Sequence, residues 1–426
     1  MEDAFNLRAL RCRRGVREWA YALLWQLARH LQPHTVNWSL ATKRWIDKQI
    51  GSLLLAGLGG PARLLGWLLG RAHGFDPPPQ HVVCIKLMGI GSVLLAADAL
   101  AALRVRWPEA RLVLLTSRSM VEPLRATGLF DAYLVIEDRS PMRLFVSAGR
   151  ALVACWRLPG RWVFDLEVYS RLTPVFSLLT LARNRFGFVV DVVGQRRHLN
   201  THNVFFNRLR SVSDNYAELV QAAGAQPTPH TWSFPAYPQP RKPHRRPYLA
   251  INNTCSALSL ERKLTDEQLA DVCRYLRTNG PWKLALLGSP ADRPALEQWR
   301  QQHLPDAEGI EIVAGSLGFP EYYTFLYEQC AGLLSIDSAP LHMGRRLGLP
   351  VLSVWGPTHP LNYLYPLRES DSGAVLDQVL YLAVACSPCV HHSEVLPCGG
   401  HNICIRNLNP FQLHQALDQW LHTLDS

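Results

Sequence analysis

From His81 onward the chain repeats one device: a short apolar run, a turn, then a stretch of helical length. The first series holds the runs "HVVCIKL", "ARLVLLTS", "YLVIE" and "RWVFDLEVY", with helical stretches such as "VLLAADALAALRVRW" and "TPVFSLLTLA". After the Pro-rich stretch "PTPHTWSFPAYPQPRKPHRRP" the device returns in "YLAINN", "KLALLGS", "IEIVAG", "LLSID" and "VLSVW". Strands without polar alternation are buried on both faces, and strands joined through helices run parallel. Two such series predict an α/β chain of two parallel-sheet domains facing a cleft. Ligands in such domains gather outside the carboxyl ends of the strands.

At 426 residues the chain is too long for one core. The expected divisions are a helical basic segment (1–78), a first domain (79–225), a linker (226–247), a second domain with a Cys-rich tail (248–410) and a C-terminal helix (411–426) positioned to fold back across the domains. Residues 1–78 hold eleven Lys or Arg against five acidic residues, and include "VREWAYALLWQLARHL" and "LLLAGLGGPARLLGWLLG". Pro61 and Arg63 interrupt the second of these, so a full membrane span is not expected. Two readings stand: a surface lying on an anionic bilayer, or a helical layer packed on the main body. Arg11, Arg13, Arg14 and Arg17 lead into more charged, helix-like sequence, which is not a cleavable signal pattern. The net charge of +10 suits nucleic acid, anionic lipid or a phosphorylated small molecule. Nucleic acid fits worst, because the basic residues are scattered and no aromatic-basic pattern accompanies them.

The strand ends carry the chemistry. "LLSID" brings Asp337 to a carboxyl end, Ser338 is suited to cap the next helix, Pro340 fits its first turn, and His342 should face the cleft. The amides and dipole at such a helix start favour a phosphate. Pro357, Thr358 and His359 end the next strand. In "MGIGS", Gly89 and Gly91 let the backbone approach a substrate and Ser92 is placed to cap a helix. The turn lacks the third glycine of a nicotinamide fingerprint, which argues against a dehydrogenase.

Cysteine usage points to a reducing compartment, since Cys84, Cys155, Cys255, Cys273 and Cys330 lie singly in apolar or helical surroundings. Cys386, Cys389, Cys398 and Cys404 cluster in "CSPCVHHSEVLPCGGHNIC", a spacing compatible with a structural Zn²⁺ or Fe site. His391, His392 and His401 are alternative ligands, and disulfides or free thiols are the other outcomes.

The stretch "DSAPLHMGRRLGLPVLSVWGPTHP" resembles the "DSG-P-x-H-x-A…G-x-P…x-x-G-P-T-x-P" signature of glycosyltransferase family 9, the ADP-heptose:lipopolysaccharide heptosyltransferases. Ala339 stands where the family usually has Gly, and Gly344 where it has Ala. The resemblance extends through "CIKLMGIGSVLLAADALAALRVRWPEARLVLLTS" and "YLAINNTCSALSLERKLTDEQLADVCRYL", spanning about residues 80–420. It implies a GT-B fold with two Rossmann-like domains, and inverting transfer from a nucleoside-diphosphate sugar to an acceptor often carried by lipid. No catalytic cofactor is implied. Carried over, Asp337, Ser338, Ala339 and His342 would sit at the donor with Thr358 and His359 beside them, and Arg262 or Lys263 would meet the phosphates. Asn252 and Asn253 could donate to the same ligand.

The family places Asp, its presumed base, where Ser92 stands here, and a hydroxyl cannot do a carboxylate's work at neutral pH. Asp98 lies further along the same helix and is expected to point away from the turn. Alternation from Val163 puts Asp165 and Glu167 on one face at a strand's exit, so Glu167 is the favoured base, with Asp165 as its orienter or substitute. Arg171, His198 and His202 are acceptor-side candidates. Two functions follow: a glycosyltransferase, peripheral on the cytoplasmic face of the inner membrane and acting on a lipid-linked or cell-envelope glycan, or a catalytically silent sugar-nucleotide-binding or scaffolding protein. Heptose is one candidate sugar. The sequence leaves sugar, base, acceptor and oligomeric state open.

Overall fold

The computed structural model describes residues 39–68, 70, 72–229, 232–239, 241, 246–256, 260–306, 308–364, 366–370, 373–390, 392–393 and 398–425. The first sheet contains β1 (His81–Ile85), β2 (Arg111–Ser117), β3 (Ala132–Ile136), β4 (Arg161–Asp165), β5 (Asn184–Val189) and β6 (His202–Phe205). Its order is β3-β2-β1-β4-β5-β6 and each pairing is parallel. The second sheet contains β7 (Tyr248–Asn252), β8 (Lys283–Leu286), β9 (Ile310–Ile312), β10 (Cys330–Ile336), β11 (Val351–Trp355) and β12 (Asp377–Tyr381). Its order, β12-β11-β10-β7-β8-β9, repeats the winding of the first, again in parallel. Each chain path reverses direction at one place, between β1 and β4 and between β7 and β10. Those reversals open the crevices where open α/β sheets bind ligands.

Two-sided burial explains the unbroken apolar runs. Along β1, Val82 and Cys84 enter one core while Val83 and Ile85 enter another on the opposite face. Along β7, Leu249 and Ile251 face one core and Ala250 the other. Each fully buried Val, Leu or Ile contributes roughly 1.5–3 kcal/mol relative to exposure. The strands that the sequence reading passes over are β5, β6 and β12.

The two domains meet where helix Ile90–Leu95 packs on helix Ala339–Arg346. Asp98 does point away from the glycine turn, toward the second domain: its carboxylate accepts from Arg346 at 3.0 and 2.9 Å and from the Trp232 amide at 2.9 Å. A second tie runs from the Tyr323 hydroxyl to the Pro123 carbonyl at 2.9 Å. The C-terminal helix Pro410–Asp425 lies against β11, β12 and helix Asp266–Thr278, burying Leu417 and Trp420 in the second core. It packs on that domain where a fold-back across both was expected.

Before the first sheet, Ser39 caps helix Leu40–Ile46, and a π-turn (Asp47–Gly51) leads into helix Ser52–Leu68. This segment is a layer on the first domain. The Asp47 carboxylate accepts from the Ser170 hydroxyl at 2.8 Å and from the Arg171 and Leu172 amides, so it caps helix Leu172–Leu179 from another part of the chain. Leu55 is buried with Val175 and Leu199. The stretch "VREWAYALLWQLARHL" lies outside the described residues, as do Arg11, Arg13, Arg14 and Arg17. Among the described residues no helix is long and apolar enough to cross a membrane.

Candidate active site

On the first domain's side, β1 ends at Ile85 and delivers Lys86, while the segment after β4 delivers Glu167. The Glu167 carboxylate accepts from the Lys86 ammonium at 2.9 Å and from the Leu87 amide at 2.8 Å. Its side chain is 17% exposed. Burial works to lower the Lys86 ammonium, but Glu167, Tyr216 and Asp165 hold it above its ordinary value, and Lys86 stays charged. The Tyr216 hydroxyl is buried, and burial raises it against hydrogen bonds from Ser92 and Lys86.

Asp165 lies beneath this layer and is 0% exposed. Its carboxylate accepts from Arg196 at 2.8 Å, from the Thr173 hydroxyl at 2.8 Å and from the Glu167 amide at 3.1 Å. Arg196 is equally buried and also donates to the carbonyls of Glu167, Ser170 and Phe188. Asp165 thus fits a positioning role, and the alternative of its standing in as base fails on burial. Sequence reading missed Lys86, Tyr216 and Arg196. A lysine closing the apolar run "HVVCIKL" is the one signal that pointed to any of them.

Ser92 does not cap. Gly89, at φ 90°, occupies the N-cap position of helix Ile90–Leu95, and Ser92 lies inside the helix. Gly91 faces the second domain, where a β-carbon would lie 2.8 Å from Cδ2 of His342. Only glycine permits this approach of the two domains.

On the second domain's side, Asp337 follows β10 and accepts from the Thr358 hydroxyl at 2.8 Å, with an Arg262 nitrogen 3.5 Å from the same oxygen. Arg262 also donates to the Asp337 carbonyl at 2.7 Å, whereas Lys263 is exposed. Ser338 stands at the N-cap position of helix Ala339–Arg346 but caps nothing, because its hydroxyl accepts from Asn252 at 2.7 Å. Asn252 also donates to Ser335, and Asn253 exchanges two hydrogen bonds with the Leu264 backbone. Both amides therefore brace the loops at the strand end. His359 accepts from the Leu361 amide and its ring lies 5.0 Å from that of Tyr381.

His342 is 5% exposed, between Asp337 and Gly91. Burial pushes its imidazole down to about 4, opposed by Asp337 and aided by Arg345, Arg346 and Arg262. Unfolding frees the ring to protonate at its ordinary value of 6.5, so between 6.5 and about 4 the unfolded state binds the extra proton. Acidification through that window therefore removes stability, on the order of 3 kcal/mol by its lower end. Thermal unfolding from neutral to acid pH is expected to show the loss, with a shallower fall in a His342→Gln form.

The other expected residues lie elsewhere. His202 opens β6 at the amino end of the sheet, stacked on Phe186 at 4.3 Å, so it is not on the acceptor side. His198 ends the turn Asp191–His198 and meets Arg63 at 2.7 Å, and Arg171 packs against Gly51. Among the described residues no three His, Cys, Asp or Glu are grouped to hold a metal ion, although Cys386, Cys389 and Cys398 lie near enough to Cys404 to raise its thiol further. Cys404 packs into the second core beside Gly356 while Cys386 stands in solvent. His391 lies outside the described residues.

Residues 195–398 match glycosyltransferase family 9 (heptosyltransferase). No curated protein matches the chain by sequence. Among solved structures, a family 9 glycosyltransferase from Veillonella parvula is similar with a TM-score of 0.63 and 16% identity over 83% of this chain and all of its own. The E. coli ADP-heptose lipopolysaccharide heptosyltransferase II gives 0.61 and 14% over 81% of this chain and 100% of its own. The E. coli heptosyltransferase WaaC, with ADP-2-deoxy-2-fluoro heptose, gives 0.58 and 11% over 80% and 99%. At these identities the likeness fixes the fold, which is GT-B. Residues 195–398 thus match a family 9 glycosyltransferase domain, and the chain as a whole has the GT-B fold.

Proposed function

We propose that this chain transfers a sugar, with inversion, from a nucleoside-diphosphate donor to a lipid-linked or cell-envelope glycan acceptor on the cytoplasmic face of the inner membrane. The observation that carries the reading is the pairing of two strand-end crevices: the half-exposed start of helix Ala339–Arg346, rimmed by Arg262, faces the domain that holds Glu167. The uncapped helix start favours a diphosphate through its amides and dipole. Arg262 then meets the charge that grows on the departing diphosphate. Glu167 accepts the proton of the acceptor hydroxyl as that oxygen attacks the anomeric carbon from the opposite face. WaaC, solved with an ADP-heptose analogue, supports a heptose as the sugar.

A second reading, a silent sugar-nucleotide-binding protein, is favoured by Ser92, which stands where the family has a carboxylate. Incubation with ADP-heptose and glycolipid acceptors separates the two. Transfer predicts free ADP that appears only with acceptor and falls at least tenfold in an Arg262→Ala form, about the worth of one charge-assisted hydrogen bond. Donor binding without release under every acceptor supports the silent protein.

A further inference from the structure

Helix Ser52–Leu68 and the turn Asp191–His198 line an open surface cavity of about 330 Å³ that the mechanism above does not use. Leu55, Ala56, Gly59 and Gly60 form an apolar wall, and Arg63 and His198 line the polar side. One guanidinium nitrogen of Arg63 meets Nδ1 of His198 at 2.7 Å. Burial, with Arg63 and Arg197 nearby, holds that imidazole below its usual range, so it meets the guanidinium as a neutral ring. Arginine carries five donors in a fixed fork suited to phosphate or carboxylate, and His198 engages this one from a single side.

The electrostatics favour an anion. The turn runs Arg196, Arg197, His198, and helix Ser52–Leu68 contains no acidic residue. The nearby acids are Asp47, whose carboxylate is spent on helix Leu172–Leu179, and exposed Asp191 at the start of the turn. The outer face of the same helix is apolar and bare: Leu53, Leu64, Trp67 and Leu68 are 49, 58, 76 and 64% exposed. Residues 1–78 have six more basic than acidic residues, eleven against five, which complements an anionic bilayer. The turn that lines the cavity is tied to the first domain's strand end through Arg196, which stands between Gln195 and His198 in the chain and donates to the Glu167 carbonyl.

We propose that this cavity is the head-group site for a lipid-linked acceptor: its phosphate or carboxylate lies on Arg63, its first apolar atoms lie along Leu55 to Gly60, and its tail stays in the bilayer on which the outer face of the helix rests. The assignment rests on the transferase reading and supplies its acceptor side. The segment that precedes the first sheet is then part of the substrate site.

Calorimetry with dodecyl phosphate below its micelle concentration tests the cavity in the full chain. Binding should weaken about tenfold in Arg63→Gln, the worth of one charge-assisted hydrogen bond, and recover in part in Arg63→Lys. Inorganic phosphate and dodecyl maltoside, each lacking half of the recognised chemistry, should bind at least tenfold more weakly. Co-sedimentation with phosphatidylglycerol vesicles should be lost when Leu64 and Trp67 both become Glu, with thermal unfolding unchanged. Equal affinity for dodecyl phosphate in Arg63→Gln, equal affinity for inorganic phosphate or dodecyl maltoside, or vesicle binding that survives the double change would each overturn the proposal. ADP affinity, measured on the same samples, reports on the donor crevice separately: its absence in the unaltered chain would count against the transferase reading, while the dodecyl phosphate result still decides the cavity.

Discussion

Replacing Glu167 with Gln lowers sugar transfer by about 10²–10⁴-fold and leaves nucleoside-diphosphate affinity unchanged. The substitution preserves shape. The Gln carbonyl can still accept from the Leu87 amide, 2.8 Å from the native carboxylate, so the loop after β1 keeps its place. What disappears is the acceptor of the hydroxyl proton, together with the charge opposite the Lys86 ammonium at 2.9 Å. The proposed donor crevice lies on the other domain, around Asp337, Arg262 and helix Ala339–Arg346, and makes no use of this carboxylate. The readout is acceptor-dependent release of nucleoside diphosphate. An unchanged rate would remove Glu167 from the chemistry.

Removing one member of the buried Asp165–Arg196 pair is the costliest single change to the first domain. Both side chains are 0% exposed, and Arg196 donates to three carbonyls besides the carboxylate. In Arg196→Met, Asp165 becomes a buried charge without its partner, which costs about 3–5 kcal/mol. For a domain of this size that lowers the unfolding midpoint by roughly 10 °C. Exchanging both residues, Asp165→Leu with Arg196→Met, should regain part of the loss and not all of it, because the carbonyls of Glu167, Ser170 and Phe188 stay unpartnered. Turnover should stay low in the double form even where stability returns, since the Glu167 backbone is no longer pinned. A thermal scan of the three forms beside native protein checks the order.

What was readable beforehand follows from where each residue sits. Strands β1, β2, β4, β7, β10 and β11 announce themselves because both faces are buried and no polar alternation breaks the run. Strands β6 and β12 close the edges of their sheets and alternate or half-bury their residues, which leaves little signal in four or five positions. In β5 the polar pair Asn184–Arg185 and Gly187 interrupt the pattern. Asp337, His342 and Glu167 could be picked out because chemistry-bearing residues at strand ends stand against apolar neighbours. Their partners could not. Lys86 finds Glu167 across 81 positions, Arg346 finds Asp98 across 248, and Arg63 finds His198 across 135. Ser338 shows the converse: residue type suggested a cap, but a stronger tertiary partner, Asn252, took its hydroxyl.

A crystal structure with intact nucleotide sugar decides where the phosphates sit. The diphosphate should lie against the first amides of helix Ala339–Arg346, with the Arg262 guanidinium in hydrogen-bonding reach and the anomeric carbon turned toward Glu167. A nucleotide seated outside that crevice, or one whose phosphates touch neither the helix start nor Arg262, would contradict that placement.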